Sequence, residues 1–144
     1  MLTIKDLHSH YGSSHIIQGI SLNAKPGDVI GIFGRNGVGK TTLLKTIAGW
    51  VAPTSGSIEL GATQLNGLSP DRICLAGVGL VPEDRRIFPG LTVQENLELG
   101  LMQLRGRSSA AERAAIEAIY ARFPRLGERR RQLGTTLSGG EAQR

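Results

Sequence analysis

The chain has 144 residues, 40% of them hydrophobic, and a formal charge of +5, a size at which one domain can bury roughly 70% of its unfolded surface. Its single cysteine, Cys74, excludes an intramolecular disulfide and fits a reducing compartment. No run approaches the ~20 apolar residues of a membrane-crossing helix, and the opening MLTIKDLHSH lacks the basic-then-apolar layout of a secretion signal. The positive excess is local, because Arg105 to Arg131 hold eight arginines against Glu112, Glu117 and Glu128. We read that stretch first as a solvated face, then as a contact for protein or acidic lipid. Nucleic acid is the third reading, since Tyr120 and Phe123 sit at helix-core spacing, and no specific nucleic-acid partner is expected.

In chain order, LTIKDL alternates imperfectly through Leu2, Ile4 and Leu7, and SHIIQGISLNA continues in the same style after YGSS. These predict two antiparallel strands around a turn at Gly12 to Ser14. PGDVIGIFG predicts a turn followed by a buried strand over Val29 to Phe33. KTTLLKTIAGW places Leu43, Leu44, Ile47 and Ala48 on one helical face, with Gly49 near its end. SGSIELGATQL reads as a further strand or hairpin, and SPDRICLAG as a short helix with Ser69 as cap and Pro70 at its first position. VGLVPED predicts an apolar strand over Val78 to Val81, broken by Pro82. Thr92 with Glu95, and Ser109 with Glu112, stand as capping boxes before two helices. The second carries Ala115, Ile116, Ile119, Tyr120 and Phe123 and is ended by Pro124. Near the end, Ser138 and Glu141 have the same relation. Strands with a glycine-rich switch into helix, then a mostly helical half, predict α/β architecture with a helical subregion. The expected parts are an N-terminal β and phosphate-loop region over about 1–82 and a helical region over about 83–144.

GRNGVGKT, Gly34 to Thr41, lies between the apolar run and the helix beginning near Lys40. It fits G-x-x-x-x-G-K-[ST] in the strand-to-helix context that motif requires. Glycines let successive amides turn inward to phosphate oxygens, and Lys40 brings a mobile charge to the β and γ phosphates. The helix start adds dipole and free amides. Thr41 supplies the hydroxyl for Mg2+, Thr42 caps and packs nearby, and Arg35, Asn36 and Val38 fill the variable positions. The motif says nucleoside triphosphate without saying what is done with it. A GTPase would add an Asn-Lys-x-Asp arrangement, and the chain has no Asn-Lys pair; nothing specific marks the acceptor pocket and lid of a small-molecule kinase.

LSGGE, Leu137 to Glu141, about 100 residues further on, resembles the signature of ABC-type ATPases. With Gly34 to Thr42 and the upstream aromatic Tyr11, it makes the chain similar to an ABC transporter ATP-binding subunit over its whole length, although only about the first 60% of such a domain. The resemblance implies a P-loop ABC fold with an N-terminal antiparallel β subregion, a helical subregion and an incomplete central sheet. GVGLVPEDRRIFPGLTVQENLELG, Gly77 to Gly100, further resembles the branched-chain amino acid importer ATPases, the LivF-like group. Urea or amide importers and other ABC systems such as exporters are alternatives.

The resemblance implies ATP and Mg2+ as cofactors, with Tyr11 stacked on adenine and Gly34 to Thr42 on phosphates and metal. It places Ser138, Gly139 and Gly140 over the γ-phosphate of a second subunit. Without it, Tyr11 reads equally as a turn-packing residue, and LSGGE as a serine-capped helix. Glu83 stands where the family usually has a glutamine that contacts Mg2+ or water; a carboxylate accepts and ligates but does not donate as an amide does. Glu83 or Asp84 as the catalytic carboxylate is disfavoured by Pro82, by the arginines that follow, and by their position before the signature. The implied partners are a second ATP-binding subunit in a head-to-tail dimer, transmembrane permease subunits and, indirectly, a periplasmic or extracellular substrate-binding protein. The implied location is the cytoplasmic side of the membrane.

The family's acidic strand, catalytic glutamate and switch histidine would all follow the signature, so no residue here is assigned a catalytic role. His8, His10 and His15 precede the phosphate loop and are expected at surface or hairpin positions. We therefore expect this 144-residue stretch by itself to be inactive in hydrolysis, a nonhydrolytic nucleotide-binding or interaction fragment, and prone to aggregation.

Overall fold

The computed structural model describes residues 1–83, 87–101 and 109–137. The chain divides into two compact units, Met1–Leu80 and Val81–Arg144, and each has its own apolar core. The fold is α/β, with an antiparallel sheet in the first unit and helices in the second.

The first unit is built on a four-stranded antiparallel sheet, ordered β2-β1-β3-β4, from β1 (Leu2–Tyr11), β2 (Ser14–Ala24), β3 (Ser55–Leu60) and β4 (Thr63–Gln64). Helix α1 (Lys40–Ile47) contributes to its core, and α2 (Pro70–Leu75) adds Ile73. The imperfect alternation in β1 has a structural cause. Asp6 takes φ 44°, a bulge that shifts register between Ile4 and Leu7, so Ile4, Leu7 and Ser9 all turn inward and are almost fully buried. A bulge costs a ladder bond, and the Ser21 hydroxyl compensates by accepting from the Asp6 amide at 2.9 Å. Strand β3 passes so close that a Cβ on Gly56 would run into the Asp6 and Lys5 backbone. Ile4, Leu7, Ile17, Leu43, Ile58, Leu65 and Ile73 form the core, each burial contributing about 1.5–3 kcal/mol.

Two expected strands are absent from their segments. Residues 29–33 and 78–81 form no strand, and Val29 and Phe33 are 98% and 93% exposed. An apolar run becomes a buried strand only when neighbours satisfy its amides and cover its faces, and neither segment pairs with a named strand of the described residues. The sheet is accordingly not closed.

The second unit consists of α3 (Val93–Gly100), α4 (Ser109–Arg122), α5 (Pro124–Glu128) and a 3₁₀ turn at Gly134–Thr136. Val93, Ile116, Tyr120 and Leu126 form its core, Ile116 and Tyr120 meeting at the i,i+4 spacing of one helical face. Both bonds of the Thr92/Glu95 capping box are present at α3. Ser109 instead already belongs to α4, so it lies within the helix and not at its cap. Residues 129–134 run against the start of α3, where the Val93 and Gln94 amides donate to the Gln132 and Arg130 carbonyls and Thr92 bridges to Leu133. The buried Tyr120 hydroxyl has no hydrogen-bond partner among the described residues, and burial pushes its phenol above the ordinary value.

Candidate functional site

Residues 34–42 lead into α1 through a tight turn. Gly37 and Gly39 take φ 85° and 99°, backbone that side chains with a Cβ rarely adopt. Gly39 is the N-cap of α1, and among the described residues no side-chain cap bond is made to the helix's first amides. Those donors, with the positive end of the helix dipole, form a surface for anionic oxygen. Thr42, expected to cap, lies inside α1 because the cap is Gly39; its carbonyl accepts from the Thr46 hydroxyl at 2.8 Å.

Lys40 Nζ donates to the carbonyl oxygens of Gly34 and Arg35, both at 2.8 Å. The ammonium thus ties the beginning of the loop to the beginning of the helix. Peptide oxygens are weaker partners for a cation than ionised acceptors, so a phosphate oxygen can take their place at little cost. Thr41 is exposed on the first turn, and Arg35, Asn36, Gly37 and Val38 are exposed along the loop. Backbone turned without side chains, a cation at the loop mouth and an accessible hydroxyl fit a chain of phosphates with a hard divalent ion, which takes oxygen ligands.

The loop rests on the β1–β2 hairpin. A Cβ at Gly39 would lie 3.0 Å from Ile16 Cγ2, 3.2 Å from Ile17 Cδ1 and 3.3 Å from the Ile16 carbonyl oxygen. Two residues before Ile16, Ser14 pairs with Tyr11 across the turn, and the Tyr11 ring is half-exposed. The hairpin therefore brings Tyr11 and residues 34–42 into one neighbourhood of the first unit. Glu83 is exposed and belongs to the second unit; Ser138, Gly139 and Gly140 lie outside the described residues.

Sequence reasoning missed two local features. Polar Thr46 turns inward in place of apolar Leu44; it is 2% exposed while Leu44 is 42% exposed. Its hydroxyl meets that of fully buried Ser9 at 3.3 Å, tying the phosphate-loop helix to β1. The second is Asn96 in α3, which accepts from the Phe88 amide at 2.8 Å and donates to the Phe88, Leu91 and Thr92 carbonyls at 2.9 to 3.3 Å. A lone asparagine after a capping box gives no sequence sign of gripping the preceding loop.

An ABC transporter family model matches residues 17–144. The high-affinity branched-chain amino acid transport ATP-binding protein BraG of Pseudomonas aeruginosa is 36% identical, covering 99% of this chain and 60% of that protein. The Fe(3+) ions import ATP-binding protein FbpC of Mesorhizobium japonicum is 38% identical, with 99% and 39% covered. The spermidine/putrescine import ATP-binding protein PotA of Bacillus cereus is 33% identical, with 100% and 42% covered. The chain thus spans about two fifths to three fifths of the length of these curated relatives. Among solved structures, the ABC transporter cassette MJ0796, described as dimeric, superposes with TM-score 0.82 at 27% identity, covering 99% of this chain and 65% of that one. An ATP-binding subunit of an ABC transporter gives TM-score 0.84 at 27% identity, with 99% and 58% covered. ATP is the nucleotide that defines this family, and Mg2+ accompanies it in this fold. Its phosphate loop and the match over residues 17–144 lead to one conclusion: the chain belongs to the ABC transporter family.

Proposed function

We propose that this chain is the nucleotide-binding part of an importer ATPase, which energises uptake of branched-chain amino acids through a membrane permease. The observation that carries the reading is the Gly34 to Thr41 loop, with Lys40 held on two loop carbonyls at 2.8 Å and α1 uncapped by any side chain. On this reading Lys40 exchanges its carbonyl partners for β and γ phosphate oxygens. The amides of residues 37 to 41 hold the remaining phosphate oxygens, and the Thr41 hydroxyl ligates Mg2+. Tyr11 offers its ring to adenine, and Glu83 takes part through its carboxylate as an acceptor toward water or cation. Ser138, Gly139 and Gly140 close over the γ-phosphate bound by a second ATP-binding subunit in a head-to-tail dimer; pairing of two such domains is supported by the relative described as dimeric.

The branched-chain cargo rests on the segment Gly77 to Gly100 and on the likeness to BraG. Importers named for iron and for polyamines are similarly identical, so the cargo is the finer part of the proposal. No helix among the described residues is long and apolar enough to cross a membrane, which agrees with attachment through permease subunits at the cytoplasmic face. In the whole protein, Lys40→Ala is expected to weaken MgATP binding about 10- to 100-fold, the worth of a charge-assisted bond of about 1.5–3 kcal/mol. Calorimetric titration measures this, and unchanged affinity overturns the site. Cargo is read separately, from uptake of labelled leucine, iron or spermidine by cells lacking the gene.

A further inference from the structure

Three imidazoles meet on the outer face of the β1–β2 hairpin. His10 pairs in register with His15, and their rings lie nearly parallel, 6° apart with centroids at 4.1 Å. The His8 ring meets His15 edge to edge, with centroids 5.1 Å apart and planes 27° apart. Hydrogen bonds run through the group: His8 Nδ1 to His15 Nε2 at 2.9 Å, His8 Nε2 to Asp6 Oδ1 at 3.1 Å, and His10 Nδ1 to Thr54 Oγ1 at 3.0 Å. Gly19 of β2 lies over Asp6 and His8, where a Cβ would be 3.1 Å from the carboxylate oxygen.

We propose that this histidine stack is a proton-sensitive latch, which holds the Tyr11 turn closed while it carries at most one extra proton and loosens it when a second enters. The coupling to nucleotide rests on the reading of Tyr11 and residues 34–42 given above.

Proton bookkeeping follows from the bonds. An ionised Asp6 only accepts, so His8 Nε2 carries a hydrogen and donates to it. In the uncharged stack His8 Nδ1 then accepts from His15 Nε2. A first added proton leaves that bond intact, because the hydrogen between the two rings is still single and the charge lies beside the Asp6 carboxylate. A second proton has two places to go. On the His8–His15 pair it makes both facing nitrogens donors at 2.9 Å, which breaks the bond. On His10 it places a second cation in the stack, 4.1 Å from His15, whose ring is hydrogen-bonded to the charged His8, and like charges this near repel.

Few other groups can relieve this. Strand β2 contributes no titratable side chain besides His15. Beside the stack β3 offers Ser55, and the residue before it, Thr54, is also uncharged. Lys5 and Glu59 share the outer face further along, opposite Ser57 and Thr3. A metal centre is a poorer reading. In-plane lone pairs of two parallel rings do not converge on one ion, and no group of three or more His, Cys, Asp or Glu among the described residues can hold a metal.

The latch lies beside the phosphate loop. His15 stands between Ser14, the partner of Tyr11, and Ile16, which floors Gly39. Imidazoles in general change charge between about pH 5 and 8, the range over which the latch is tested.

The test measures MgATP affinity and backbone hydrogen exchange over residues 10–17 of the whole protein, from pH 8.0 to 5.5. The terminal phosphate itself titrates near pH 6, so the comparison among variants carries the result. In the wild type we expect affinity to fall roughly tenfold and exchange, corrected for its intrinsic pH dependence, to quicken by a similar factor. In His15→Gln, which keeps a polar side chain but cannot take the charge, the fall shrinks to that caused by ATP alone. In Asp6→Asn, which loses the counter-charge that favours a protonated imidazole, loosening shifts to lower pH. Equal pH profiles in wild type and His15→Gln overturn the latch, as does corrected exchange that stays constant with pH. If ATP fails to bind at any pH the nucleotide reading falls, while exchange over residues 10–17 still decides the latch.

Discussion

At the scale of residues, the motif positions were legible because a phosphate loop is a matter of local spacing. Gly34, Gly39, Lys40 and Thr41 are fixed by chemistry that neighbours in sequence supply. Ser9, Thr46 and the three histidines were not legible in the same way. Their proximity depends on the bulge at Asp6, which changes the face taken by every residue after it, and one residue of register decides such contacts. Ser9 and Thr46, residues 0% and 2% exposed, make a test of this contact. Thr46→Val leaves the Ser9 hydroxyl buried without its 3.3 Å partner and is expected to cost about 1–2 kcal/mol. Adding Ser9→Ala should recover part of that loss, since both polar ends are then gone. Urea unfolding of the four members of this cycle measures the coupling, and strictly additive losses would show that the two hydroxyls act independently.

At the scale of elements, the capping box of α3 was readable because all its atoms lie within four residues. The Thr92 amide donates to Glu95 Oε2 at 2.7 Å, the Thr92 hydroxyl donates to the same oxygen at 2.8 Å, and the Glu95 amide donates back to Thr92 Oγ1 at 3.2 Å. The Thr92 backbone bond, then its hydroxyl, holds the Glu95 carboxyl below its ordinary value. A carboxyl depressed in the fold stabilises above its unfolded range, near pH 4.3, and that contribution is lost as pH falls through the lower folded value. Thr92→Ala is expected to cost about 1 kcal/mol and to move the Glu95 titration upward, while the retained backbone bond keeps it below an unpaired glutamate. Carboxyl NMR titration reads the second effect; an unmoved midpoint would show that the hydroxyl contributes nothing. The segments 29–33 and 78–81 were misread as strands for the opposite reason. Apolar composition states what a segment would gain by pairing, whereas a strand also needs partners from elsewhere in the fold.

At the scale of the whole molecule, the fold class was readable because glycine-rich switch, caps and helical faces agree, and the signature resemblance joined them. The exposed run at 29–33, with Val29 and Phe33 almost bare and Ile30 and Ile32 37–46% exposed, is an apolar edge of the kind that associates. In the 144-residue chain, Ile32→Thr with Phe33→Ser is expected to slow aggregation roughly several-fold without lowering the unfolding midpoint, since neither side chain belongs to either core. Light scattering beside a thermal melt measures both, and unchanged scattering would place the sticky surface elsewhere. Helix α1 has a further use as an optical gauge. The chain has one tryptophan, Trp50, whose amide is anchored on the Lys45 carbonyl at 2.8 Å just past the helix end. Its indole stands at the opposite end of α1 from the phosphate loop, so native emission, free of any competing fluorophore of its kind, offers a label-free signal from that helix.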